Sequence, residues 1–184
     1  MSDLTITTAG ITESKVSGGE FLSADKKLNQ MNVDVITVNP AVTTAECVAG
    51  DVIFQGDEIS EAVAVKGGSA ILQSITLLDD DDHGQSIDLV FSSGSGDLDG
   101  TAAGGTAIDV DDDTSSVPGS VLGIVTVSNY FDGINWKIGT TKNIGLVLKA
   151  ASDSRSIYVS AVNRGGTKTW TASGLHLKIG LVRD

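Results

Sequence analysis

Aromatic side chains are scarce in this chain: four Phe, two Tyr and two Trp among 184 residues. A cleft that grips a sugar or a small substrate usually has aromatic walls, so the scarcity argues against one. Cys47 is the single cysteine. That excludes an intramolecular disulfide and a zinc site made of cysteines alone, and such a thiol is expected to be a small buried hydrophobe. Histidine is nearly absent, with His83 and His176 alone, and no Gly-x-Ser-x-Gly elbow is present. The residue types that usually announce catalysis are therefore missing, and the chain reads as a binder without turnover. No apolar run approaches the roughly 20 residues that cross a bilayer, so no membrane partner is expected. Met1-Ser2-Asp3-Leu4-Thr5 lacks the basic and apolar regions of a secretory signal.

Cations are missing from one long stretch. Residues 67–136 hold twelve Asp and no Lys or Arg, whereas residues 137–184 hold eight bases against two acids. The net charge of −12 argues against nucleic acid, because neutralising phosphates needs clustered Lys and Arg. The asymmetry has two readings. Strands from both stretches interleave and the charges average out, or the molecule has an acidic and a basic pole. Poles would favour head-to-tail contacts between copies, closing into a ring if the rotation closes.

What is plentiful is Val, Ile, Leu and Ala, with 22 Gly for corners, the composition of a sheet protein with many turns. Leu175, Leu177, Ile179 and Leu181 alternate with His176, Lys178 and Val182, a period of two that predicts a strand with one face in a core. The same pattern predicts strands at Asn32–Val38, Asp51–Phe54, Ala70–Leu78 and Ser86–Phe91, with Ile87, Leu89 and Phe91 inward. Further strands are predicted at Val121–Ser128, Tyr130–Lys137 through a Gly133 turn, Ile144–Lys149 and Ser156–Val162. Ser152-Asp153-Ser154 and Arg164-Gly165-Gly166 read as hairpin links. Ile59–Val65 suggests a turn of helix, Asp113–Pro118 a helix N-terminus, and Ser92–Ala107 a long exposed loop. The expected fold is all-β: an antiparallel β-sandwich, jelly-roll-like, over residues 33–184. Residues 1–32 form a polar N-terminal arm with a weak helical hint at Phe21–Met31. Alone, the arm buries too little to offset its ordering, so this fold or a neighbour is expected to hold it. Strand addition needs only main-chain partners, and the arm's apolar Leu4, Ile6, Phe21 and Leu22 are the expected partner contacts.

Three Asp clusters invite calcium: Asp79–Asp82, Asp97-Leu98-Asp99-Gly100 and Asp109–Asp113. The second opens like an EF-hand loop, but its twelfth position is Ile108 rather than Glu. Ser93–Gly100 is similar to a calcium-binding nonapeptide, yet one copy has nothing to stack on. Solvated loop acids are the plainer reading, and no cofactor is expected. Trp136 and Trp170 are expected in the core or at a subunit interface ahead of a sugar platform.

Several stretches, in order, resemble small structural proteins of tailed phages, especially those infecting marine and freshwater bacteria. They are Gly67–Ile75, the turn at Asp79–Gly84, Asp88–Phe91, Val121–Val125, Asn143–Ala150 and Thr171–Leu175, and the resemblance spans roughly residues 50–182. It implies a virion role on the outer surface of the phage head as a capsid decoration (cement) protein. The implied partners are the major capsid protein and further copies of the chain, as a trimer by preference. Residues 1–32 have no counterpart in the resemblance. One rival reading is a receptor- or glycan-binding module of a tail fibre or tail tip, with Ser92–Thr106 facing the host. Another is a glycan-active enzyme, which requires a cleft with paired carboxylates.

Overall fold

The computed structural model describes residues 7–8, 11–12, 32–96, 98, 105–108 and 120–183. The chain divides into two compact units, residues 1–31 and 32–184. In the first, β1 (Thr7–Thr8) and β2 (Ile11–Thr12) pair antiparallel, with Thr8 opposite Ile11. Leu4, Ile6, Phe21 and Leu22 lie outside the described residues, as do the helical hints at Phe21–Met31 and Asp113–Pro118.

The second unit begins with β3 (Asn32–Val38), β4 (Glu46–Cys47), β5 (Val52–Ile59), β6 (Ser69–Asp79) and β7 (Ile87–Ser92). It continues with β8 (Val121–Val127), β9 (Tyr130–Asp132), β10 (Lys137–Lys149), β11 (Ile157–Asn163), β12 (Lys168–Thr169) and β13 (Leu175–Arg183). One sheet has the order β3-β13-β6-β10-β9, a second β5-β11-β7-β8, and β12 pairs β4 in a small third. Every pairing is antiparallel. The fold is all-β, and among the described residues there is no helix long and apolar enough to cross a membrane.

Alternation places the core. Leu72, Ile75, Leu77, Leu177, Ile179 and Leu181 of the five-stranded sheet are fully buried. They join Phe54, Ile87, Leu89, Phe91 and Val159 of the four-stranded sheet in one apolar cluster that also takes in Trp170. The inward faces of both sheets thus meet, and burial of these side chains is the main force holding them together. Cys47 is wholly buried there, as its type suggests.

Five expectations need correction. Ser152-Asp153-Ser154 and Arg164-Gly165-Gly166 close no hairpin, because β11 pairs with β5 and β7 whereas β10 and β13 belong to the other sheet and β12 pairs with β4. Ile59–Val65 forms no helix: Ile59 closes β5, Glu61 takes a left-handed φ of 56°, and the Val63 N–H is spent on the Arg155 carbonyl at 3.1 Å. Tyr130–Lys137 is not one strand, because the Gly133 N–H bonds the Trp136 carbonyl at 2.9 Å and turns the chain into a β9–β10 hairpin. Ile144–Lys149 is not separate either. It is the second half of the 13-residue β10, which absorbs a bulge where Asn143 and Gly145 adopt φ of 58° and 71°. The link after β7 is not simply exposed. Leu98, 1% exposed, packs with Val52, Val90, Val162 and Ile108 on the outer face of the four-stranded sheet. Its N–H donates to Gln55 Oε1 at 2.9 Å, while Gly105 and Thr106 exchange backbone hydrogen bonds with Val52.

Candidate functional site

The densest polar cluster is the turn after β6, and its geometry is that of a clamp. The Asp79 carboxylate is wholly buried and accepts the backbone N–H groups of Asp81, His83 and Gly84 at 3.1, 3.0 and 2.7 Å. Burial holds this carboxyl above its ordinary pKa, against the pull of those N–H groups and of His83. Gly84 sits at φ 58°, and a Cβ there would stand 2.3 Å from the Lys137 side chain, so glycine is favoured at this turn. The other three aspartates point elsewhere. Asp80 meets His176 at 3.1 Å, Asp81 accepts the Thr171 N–H at 2.8 Å, and Asp82 pairs with Lys137 at 3.4 Å. The four carboxylates diverge, each onto a different element. A hard cation needs oxygens that converge, and among the described residues no group of three or more His, Cys, Asp or Glu is placed to hold a metal.

Both histidines serve the same end of the molecule. His83 Nε2 lies 2.9 Å from the Thr169 carbonyl, and its ring stands edge-on to Trp170 at 5.4 Å. The second ring nitrogen of His176, Nδ1, lies 2.8 Å from Asn39 Oδ1. These contacts fix loops onto the sheet, and the sequence suggested none of them.

A different surface is apolar without being buried: the outer face of the five-stranded sheet. Register aligns Val33, Val182, Ile71 and Val147 in one row across β3, β13, β6 and β10. Val33 is 70% exposed, Ile71 39% and Val147 59%. Further along, Leu78, Ile138 and Phe131 line up across β6, β10 and β9, with Phe131 69% exposed. Between and beside the rows stand Lys142, Lys178 and Lys149. No Asp or Glu occupies an outward position on these five strands. Lys149 donates to the Gly67 carbonyl at 3.0 Å, whereas Lys142 and Lys178 form no ion pair among the described residues. β-Branched side chains standing in water leave their burial free energy unrealised until something covers them.

The outer face of the four-stranded sheet lies on the opposite side, because the two inner faces meet in the core. It carries Asp88, held by Thr126 and Arg164, and the Leu98–Ile108 anchor. Asp97, Asp99 and Asp109 are the chain neighbours of those two anchoring residues. Strands from the acidic and basic stretches do interleave, with β6 between β10 and β13.

Sequence reasoning missed this surface. The signal was apolar residues in both parities, as in Ile71-Leu72 and Leu146-Val147-Leu148, which means an apolar outer face as well as an apolar inner one. Trp170 is buried as expected, and Trp136 is half-buried beside Phe131 with ring centroids 6.1 Å apart. Compared with known proteins, the chain matches no family model and no curated sequence.

Proposed function

We propose that this chain is a virion structural protein that decorates the outer surface of a tailed-phage head, binding the major capsid protein and bridging its neighbouring subunits. The observation that carries this reading is the outer face with its two apolar rows, whose strands set no Asp or Glu outward, a surface made to be covered, set beside a polar cluster whose groups already serve the fold. Decoration is mechanical: many modest contacts, summed over the copies on a shell, resist internal pressure. The strand order supports reading the fold as a jelly-roll β-sandwich, since four antiparallel pairs nest, β3 with β13, β5 with β11, β6 with β10 and β7 with β8. Such a protein acts as a homo-oligomer, a trimer by preference, with Leu4, Ile6, Phe21 and Leu22 of the arm as its contacts to the shell. It needs no cofactor, nucleic acid or membrane and turns nothing over. Re-addition to particles stripped of the protein tests it: decoration restores their resistance to heat, and particles indifferent to the protein contradict it.

The rival reading, a receptor- or glycan-binding module of a tail fibre or tail tip, draws on one observation. The β9–β10 hairpin presents Phe131 and, at 87% exposed, Ile134 beside Trp136, and aromatic tips of this kind can stack on sugars. A specific hit on a glycan array, lost in Trp136→Ala, decides for it.

A further inference from the structure

We infer that the Asp34 carboxylate guards the open edge of the five-stranded sheet, and that without it β3 pairs antiparallel with β3 of a second copy. The proposed function does not use this edge, and the inference goes beyond it.

The phase of the ladder shows which main-chain groups are open. β3 ends the five-stranded sheet and, among the described strands, pairs with β13 alone. Just past the β13–β6 ladder, the Asp80 N–H bonds the Gly174 carbonyl at 2.8 Å. Alternation from that bond turns the main-chain groups of His176, Lys178 and Gly180 towards β6, and those of Leu177, Ile179 and Leu181 towards β3. The ladder thereby satisfies their partners Val38, Ile36 and Asp34. Val33, Val35 and Thr37 are left to direct N–H and C=O to the open side.

Such an edge invites an added strand, and β3 lacks most of the usual defences. Asn32–Val38 holds no Pro, Lys or Arg, and its register with β13 runs without a bulge. Val33 and Val35 are 70% and 60% exposed. Asp34 supplies the missing defence. Its Oδ1 accepts the N–H of Val35, the central donor of the open edge, at 2.8 Å. Its Oδ2 accepts Arg183 Nη2, and Arg183 Nη1 in turn donates to the Glu61 carbonyl at 2.6 Å. An incoming strand therefore has to displace a carboxylate held by two donors. Once that carboxylate is removed, a two-fold pairing about Val35 sets Val35 on Val35 and Val33 on Thr37. Every open group from Val33 to Thr37 then finds a partner, and no like charges meet.

Sedimentation velocity on the full chain tests this. Asp34→Ala is expected to associate about tenfold or more tightly than the wild type. Val35→Pro removes the outward donor without touching the ladder, as an edge strand tolerates. In the Asp34→Ala background it abolishes the added association, and in the wild-type background it leaves association unchanged. Amide hydrogen exchange of the wild type gives a reading that does not depend on any variant folding. There the guarded N–H of Val35 exchanges about tenfold or more slowly than the outward N–H of Thr37. An Asp34→Ala chain that associates no more than the wild type would overturn the inference. So would added association that survives Val35→Pro, a wild type that loses association on Val35→Pro, or equal exchange at Val35 and Thr37.

Discussion

Asp81 accepts the backbone N–H of Thr171 at 2.8 Å across 90 positions of sequence, and the Thr171 hydroxyl donates to the same carboxylate at 3.0 Å. Together they tie the turn after β6 to the loop that launches β13. Asp81→Ala leaves both donors without their protein acceptor and is expected to cost about 1–2 kcal/mol. Asp81→Asn keeps an acceptor oxygen and costs less. Urea unfolding of the two variants checks the order.

Cys47 is closed to chemistry while the fold holds. Burial, with Asp51 adding to it, pushes its thiol up to about 11, and only the thiolate reacts. At mildly alkaline pH a thiol reagent is expected to label the native protein very slowly and the urea-unfolded chain at once. The neutral thiol's share of stability is intact below the ordinary thiol pKa and is lost as pH climbs towards 11.

Asp57 gives a pH dependence with a definite sign. Burial raises its carboxyl above the ordinary value, only partly offset by the N–H of Ala41. Between the ordinary pKa and the raised one the folded chain binds the proton more tightly, so this group's contribution falls as pH rises through that window. Asp57→Asn does not titrate. The stability of the wild type relative to this variant is therefore expected to grow on acidification, read from chemical denaturation at a series of pH values.

The valine row makes a prediction about stability as well as assembly. Val147→Ser removes apolar surface that is 59% exposed and lies outside the core, so the unfolding free energy should change by less than about 0.5 kcal/mol. Leu148→Ala, one position along and fully buried, should cost about 2–5 kcal/mol. Parallel unfolding curves at high salt compare the two.

Much of the fold was legible because strand periodicity is local. Leu175–Leu181 names its buried face directly, and the structure buries Leu175, Leu177, Ile179 and Leu181; Ala70–Leu78 is legible as a strand, but a bulge shifts its inward side from Ala70 and Leu72 to Ile75 and Leu77. Features that depend on distant partners were not legible. Nothing around Asp79 says that the carboxylate turns inward to hold three N–H groups, or that its three neighbours each reach a different element. The cover formed by Leu98 on the four-stranded sheet was hidden because one leucine in a Gly- and Asp-rich stretch carries no period. Asn32–Val38 does not say which face goes inward: β3 turns Asp34, Ile36 and Val38 towards the core and leaves Val33 and Val35 exposed. Arg183, diagonal to it on β13, holds the Asp34 carboxylate at the end of the sheet. That choice of face needs the partner strand, and the partner lies at the far end of the chain.

The central claim is that this molecule works by covering and being covered, on the outside of a shell. Quantitative mass spectrometry of purified particles tests it most directly. The account predicts the chain at shell-like stoichiometry, in a fixed ratio to the major capsid protein. Its absence from particles, or its presence in only the few copies that a tail tip would carry, would contradict it.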